Sequence, residues 1–179
     1  MFRRNRRAFL SSAAAALVTA PFAPAFADSE KARSLAFSNI HTGEHVAVDY
    51  WIEGAYQPDA LAAVNHILRD FRSGDVHVIE PQLLDLLARL RGQLETGAPF
   101  EVISGYRSPT TNALLREAHE HSGVAAKSLH MQGMAIDIRL PDRSLQMLHS
   151  AALVEQGGGV GYYPDLNFVH VDVGRIRRW

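Results

Sequence analysis

The chain has 179 residues, 47% hydrophobic and 21% charged, with a formal net charge of −1 and no cysteine. That length suits one globular domain, the charge balance leaves no footprint for nucleic acid, and no apolar run reaches the roughly 20 residues of a membrane span. Without Cys, disulfide scaffolds, thiolate zinc fingers, Cys nucleophiles and iron–sulfur centres are excluded.

Residues 1–27 read as an export signal. Arg3, Arg4, Arg6 and Arg7 form a basic head, an Ala-rich stretch runs from Ala8 to Val18, and Ala25-Phe26-Ala27 fits a small-x-small site with cleavage after Ala27. Arg6-Arg7-Ala8-Phe9-Leu10 fits the twin-arginine pattern. No Cys follows, so no lipid anchor is expected once the signal is removed. The expected domain is 28–179, with 14 basic against 19 acidic residues, a net charge of −5, and the periplasm as its destination.

The remaining elements follow in chain order. Val46–Ile52 alternates as a strand after the turn His41-Thr42-Gly43-Glu44. Pro58–Arg72 predicts a helix with Leu61, Val64, Leu68 and Phe71 on one face. Pro81–Leu94 predicts a second, whose stripe of Leu83, Leu84, Leu87, Leu90 and Leu94 reads as core. Phe100–Ser104 reads as a buried strand. Ser108 caps a helix from Pro109 to about His121. Met134–Leu140 is a strand, Ser144–Gln156 a helix closed by Gly157-Gly158-Gly159, and Val160–Tyr163 and Phe168–Val173 are strands joined through Pro164–Asn167. The expected fold is α+β, a small, mainly antiparallel sheet packed with helices.

Several chemistries are absent. Neither lysine has a Ser three residues before it, there is no Gly-x-Ser-x-Gly elbow, and there is no phosphate loop. His119-Glu120-His121 fails as a helical metal pair, because position 123 is Gly. His41 and His45 read as surface residues, and Met131 and Met134 as packing.

What remains lies in two apolar strands. Asp137 sits in Ala-Ile-Asp-Ile; His170 and Asp172 sit in Phe-Val-His-Val-Asp-Val. Buried carboxylates are costly unless paired or bound to metal. Alternation puts His170 and Asp172 on one face, and Asp137 joins them if the strands are neighbours. His130 then folds back over that face through Gly133. Two imidazoles and a carboxylate make a catalytic zinc set with one open position, where bound water becomes acidic near pH 7. A buried structural His–Asp pair is the alternative at this point.

Ser128-x-His130-x-x-Gly133-x-Ala135-x-Asp137, followed by a late His on a strand, resembles the zinc D-alanyl-D-alanine peptidase family. Ser104-Gly105-Tyr106-Arg107-Ser108 matches a further segment of it. The murein endopeptidase K branch is closer still, through His41-Thr42-Gly43-Glu44, Leu68-Arg69-Asp70, Gly158-Val160-Gly161-Tyr162-Tyr163-Pro164, Phe168–Gly174 and Arg178-Trp179. The resemblance spans nearly all of 28–179. It implies a Hedgehog-like zinc peptidase fold and one zinc per chain on His130, Asp137 and His170. Arg107 would polarise the scissile carbonyl, with Ser128, Tyr106 and Gln132 lining the cleft. The implied substrate is a peptidoglycan stem peptide or cross-bridge, cut at D-Ala–diaminopimelate or at diaminopimelate–diaminopimelate by an endopeptidase, or trimmed as by a D,D-carboxypeptidase.

One position departs from the pattern. Many relatives carry Glu or Asp three residues before the last His ligand as general base, and here Asn167 stands there. Asp172 is the substitute base expected on that face; its rival role is to orient a ligand His. Asn167 also keeps open a non-catalytic peptidoglycan-binding module with structural zinc. A zinc hydrolase of the same fold acting on another substrate is a further alternative.

Overall fold

The computed structural model describes residues 31–118 and 124–179. The signal segment, the expected extension of the third helix to about His121 and the His119-Glu120-His121 run lie outside the described residues. Eight strands form one sheet: β1 (Ala32–Asn39), β2 (His45–Ile52), β3 (Ala55–Tyr56), β4 (Phe100–Ser104), β5 (Ala135–Arg139), β6 (Gly159–Tyr163), β7 (Phe168–Asp172) and β8 (Arg177–Arg178). The helices are α1 (Pro58–Ile67), α2 (Pro81–Gln93), α3 (Pro109–Glu117) and α4 (Leu145–Glu155). Among the described residues no helix is long and apolar enough to cross a membrane.

The α+β class is as expected, but the sheet is larger than the sequence suggested and mixed. Its order is β3-β2-β1-β4-β5-β7-β6-β8, with β1/β4 and β6/β8 parallel and the other pairs antiparallel. The additions are β1, β3 and β8. β1 contains no β-branched residue, and its extended form comes from being clamped between β2 and β4.

The leucine stripe of α2 is core: Leu83, Leu84, Leu87 and Leu90 are wholly buried. α1 packs on β2, α2 on β1 and on α4, and α4 on β6 and β7. Alternation along β5 and β7 sends Ile136, Ile138, Val169 and Val171 into that core. The same alternation turns Asp137 and His170 to the opposite side of the sheet.

α1 ends at Ile67, earlier than its pattern predicts. The next residues engage another loop instead of continuing the helix. The Leu68 carbonyl accepts the Tyr106 N–H at 2.8 Å, and the buried Asp70 carboxylate accepts the Ser108 N–H at 2.9 Å. Backbone hydrogen bonds α1 would have made in a further turn are thus replaced by bonds that fix the loop carrying Arg107. Gly105 makes this contact possible, since a Cβ there would strike the Leu68 carbonyl.

Gly133 closes the 3₁₀ turn Leu129–Gln132 with φ +68°, and a Cβ there would collide with the Val78 carbonyl. Left-handed backbone without strain, together with that close approach, requires glycine. Gly133→Ala is therefore expected to destabilise the fold by about 1–3 kcal/mol or more. Denaturant unfolding checks this; an unchanged midpoint would refute the packing argument.

Candidate active site

β5 and β7 are antiparallel neighbours, with Asp137 directly opposite His170. The turn Leu129–Gln132, capped by the Ser128 hydroxyl on the His130 N–H, swings His130 over that pair. Three atoms converge. His130 Nε2 lies 3.1 Å from His170 Nδ1 and 3.2 Å from Asp137 Oδ1, and His170 Nδ1 lies 2.8 Å from Asp137 Oδ1. All three residues are buried.

The outer atoms of each ring decide what the inner ones can do. His130 Nδ1 lies 2.7 Å from the Gly105 carbonyl, which can only accept, so that nitrogen carries the proton. His170 Nε2 lies 3.0 Å from Asp172 Oδ2 and donates to it in the same way. With both rings neutral, the nitrogens facing inward are bare lone pairs, pointing at each other and at a carboxylate oxygen. Three acceptors at such spacing repel one another unless a cation joins them. Burial pushes the His130 pKa down, against the partial pull of Asp137. For His170 burial also opposes charge, but Asp137 and Asp172 outweigh it and raise the pKa. The site therefore demands positive charge at its centre, and the donor set fits a metal cation.

Asp137 is held ionised. Burial alone would raise its pKa, but His130, His170 and Arg107 pull it well below the carboxylate range. Its second oxygen, Oδ2, is engaged by Arg107, whose Nε also donates to Ser104 Oγ at 2.8 Å. The Arg107 N–H in turn donates to the His130 carbonyl. Arg107 thus borders the convergent atoms.

Asp172 is fully buried. Its Oδ1 accepts the N–H groups of Gly159 and Gly174, each at 2.9 Å, and Arg177 Nη1 at 3.1 Å. Its Oδ2 accepts Arg177 Nη2 at 2.7 Å as well as His170. Burial would raise its pKa, but these donors hold it far below the usual range. The glycine run is part of this arrangement, since a Cβ on Gly158 or Gly159 would overlap Asp172.

A cavity of about 350 Å³ opens over the three convergent residues. Ser128, His130, Asp137, His170 and Arg107 line it, together with His41, Arg72, Lys127, Arg177 and Trp179, none of which the sequence placed at the site. Among the described residues that line it, Asp137 is the one carboxylate, against four cationic side chains. Tyr106 does not line it and stacks on His77 with centroids 4.6 Å apart; Gln132 is exposed outside it. His41 is exposed as expected, yet it reaches the cavity rim by stacking on Phe71. His45 stays on the surface of β2. Signals for two of the missed residues lay in the motifs, His41 in the His-Thr-Gly-Glu turn and Trp179 beside Arg178; nothing local marks Arg72.

Asn167 lies in the turn between β6 and β7 with φ +54°, a left-handed conformation that Asn tolerates better than most residues. It does not line the cavity.

The sequence profile of the family described as peptidoglycan L,D-endopeptidase MepK matches residues 27–179. The chain is 42% identical to the peptidoglycan L,D-endopeptidase MepK of Escherichia coli (strain K12), over 99% of this chain and 98% of the relative. It is equally similar to the protein of that name from Shigella flexneri. A probable peptidoglycan L,D-endopeptidase MepK from Haemophilus influenzae is 37% identical over 98% of this chain and 96% of its own.

Proposed function

The chain belongs to the peptidoglycan L,D-endopeptidase MepK family, and from that membership we propose that it is a zinc-dependent murein endopeptidase hydrolysing peptide cross-links of peptidoglycan. The observation that carries the reading is the convergence of His130, Asp137 and His170, both rings turned with their protons outward, on the floor of a cationic cavity. An L,D specificity, as the relatives are named, points to a bond from an L acyl centre to a D amine. The diaminopimelate–diaminopimelate cross-link has that form.

The residues suit zinc by spacing as well as by type. Edges of 2.8 to 3.2 Å approach the about 3.3 Å edge of a tetrahedron with bonds of about 2.0–2.1 Å. Zinc held there would supply a Lewis acid and an acidified water. Arg107 neutralises the outer oxygen of Asp137 and places a fixed cation beside the position where a carbonyl oxygen gains negative charge. Ser128 holds the His130 turn through its hydroxyl and lines the cavity. Asp172 orients His170 and does not take the proton, because both its oxygens are already engaged. Of the groups lining the cavity, His41 keeps an imidazole nitrogen that bonds to nothing among the described residues, its Nε2 resting on the Ile103 carbonyl, and it takes the general-base role in this reading. Tyr106 and Gln132 receive no contact with the reacting bond.

The rival reading, a binding module with structural zinc, rests on Asn167. That position belongs to a turn whose backbone favours Asn, so the missing acid is weak support for lost catalysis. The carboxypeptidase alternative finds less support in relatives named as endopeptidases. Export to the periplasm belongs to the same proposal, supported by the pattern of residues 1–27 and by a family match that begins at residue 27.

The test is digestion of purified sacculi, with and without a zinc chelator, read by mass spectrometry. Cross-linked dimers should convert to monomers, and the chelator should stop it. An unchanged profile from protein with zinc bound would refute the endopeptidase.

A further inference from the structure

We propose that Arg72 is a carboxylate-recognition residue, gripping the free carboxylate that a cross-link carries beside its scissile bond. The guanidinium lies 4.2 Å over the Phe71 ring centroid. His41 stacks on the same ring at 3.8 Å and 12°. An aromatic ring offers two faces, so Phe71 is sandwiched, with imidazole on one side and guanidinium on the other. The two ends of this stack are anchored differently. His41 Nε2 rests on the Ile103 carbonyl at 3.0 Å, whereas Arg72 is anchored through its backbone N–H, which donates to the buried Asp70 at 3.0 Å. The guanidinium itself rests on the ring, and none of its N–H groups has a hydrogen-bond partner among the described residues.

The other arginines of the cavity differ. Arg107 is engaged by Asp137 and Ser104, and Arg177 by Asp172. Arg72 lines the same cavity, where burial opposes its charge, Asp70 favours it and Arg107 disfavours it. A planar fork with its donors unused matches a carboxylate.

The substrate follows from the chemistry of the bond, and here the inference rests on the proposed function. In a cross-link made through a diaminopimelate amine, the carbon next to the scissile nitrogen bears its own free carboxylate. In an ordinary stem-peptide bond that carboxylate is an amide. A cation at this place separates cross-links from the internal bonds of the stem.

The test is calorimetric titration of the zinc-loaded protein with the tripeptide L-Ala-γ-D-Glu-meso-diaminopimelate, and with the same tripeptide amidated at the D-centre carboxylate. The wild type should prefer the carboxylate by about tenfold or more. Arg72→Gln should bind the two alike, with zinc content and unfolding midpoint unchanged, and Arg72→Lys should recover part of the preference. A preference that survives Arg72→Gln, or its absence in a wild type that cleaves sacculi, overturns the role of Arg72 alone. A wild type that neither cleaves sacculi nor binds either tripeptide overturns the peptidoglycan reading and this one with it.

Discussion

Replacing His130 with Ala is expected to empty the site of metal and abolish hydrolysis. The three convergent atoms are an all-acceptor set, and removing one leaves a single imidazole and a carboxylate whose outer oxygen is already taken by Arg107. Losing a residue that merely supports a ligand costs roughly 10–100-fold in metal affinity or activity; loss of the ligand itself should exceed that range. Zinc retained after dialysis should fall from one per chain to near none, and sacculus cleavage should fall with it. Chelation of the wild type should reproduce the effect, and added zinc should reverse it. Stability should respond too, because a cation binding only the folded state adds about 4 kcal/mol when present at about 1,000 times its dissociation constant. The unfolding midpoint of the wild type should thus drop on chelation, while that of His130→Ala should hardly move. A His130→Ala protein that keeps its zinc, or a wild type active in excess chelator, would sink the assignment.

How far the sequence foretold this site depended on the range of the contacts involved. Asp137, His170 and Asp172 were legible because a polar residue inside an apolar strand needs a partner, and a period of two places them by counting. His130 was legible through Gly133, whose left-handed turn folds the chain back. The pairing of β5 with β7 was a condition that sequence left open, and the register supplies it. β1 was not legible, because its strand character comes from its neighbours in the sheet. The early end of α1 was hidden for a related reason. Leu68 fits the helix face by periodicity and Asp70 falls within the same expected helix, yet the Leu68 carbonyl and the Asp70 carboxylate accept from Tyr106 and Ser108, far along the chain. Arg72 lies past that helix end and lines the cavity.

Asp172→Asn separates the two roles the sequence left open for this residue. A general base needs a lone pair that faces the substrate and an affinity for the proton. Asp172 is fully buried, and its donors hold its pKa far down. Five hydrogen bonds converge on it, from Gly159, Gly174, both Arg177 nitrogens and His170. Asparagine keeps the shape but replaces one acceptor with an NH₂ group. Turned toward Gly159 and Gly174, that group meets two N–H donors inside the protein. Turned toward His170, it meets Nε2–H, and the ring is driven to move its proton to Nδ1, the atom that must stay bare for the metal. Either way the ligand is spoiled from behind. Zinc affinity should fall by roughly 10–100-fold, and cleavage measured at saturating zinc should recover most of the loss. A lost base would give the reverse pattern: zinc affinity unchanged, and a kcat deficit that no concentration of zinc restores. That second outcome would return Asp172 to the base role and leave His41 without one; the first fixes Asp172 as the residue that keeps the His170 lone pair aimed inward.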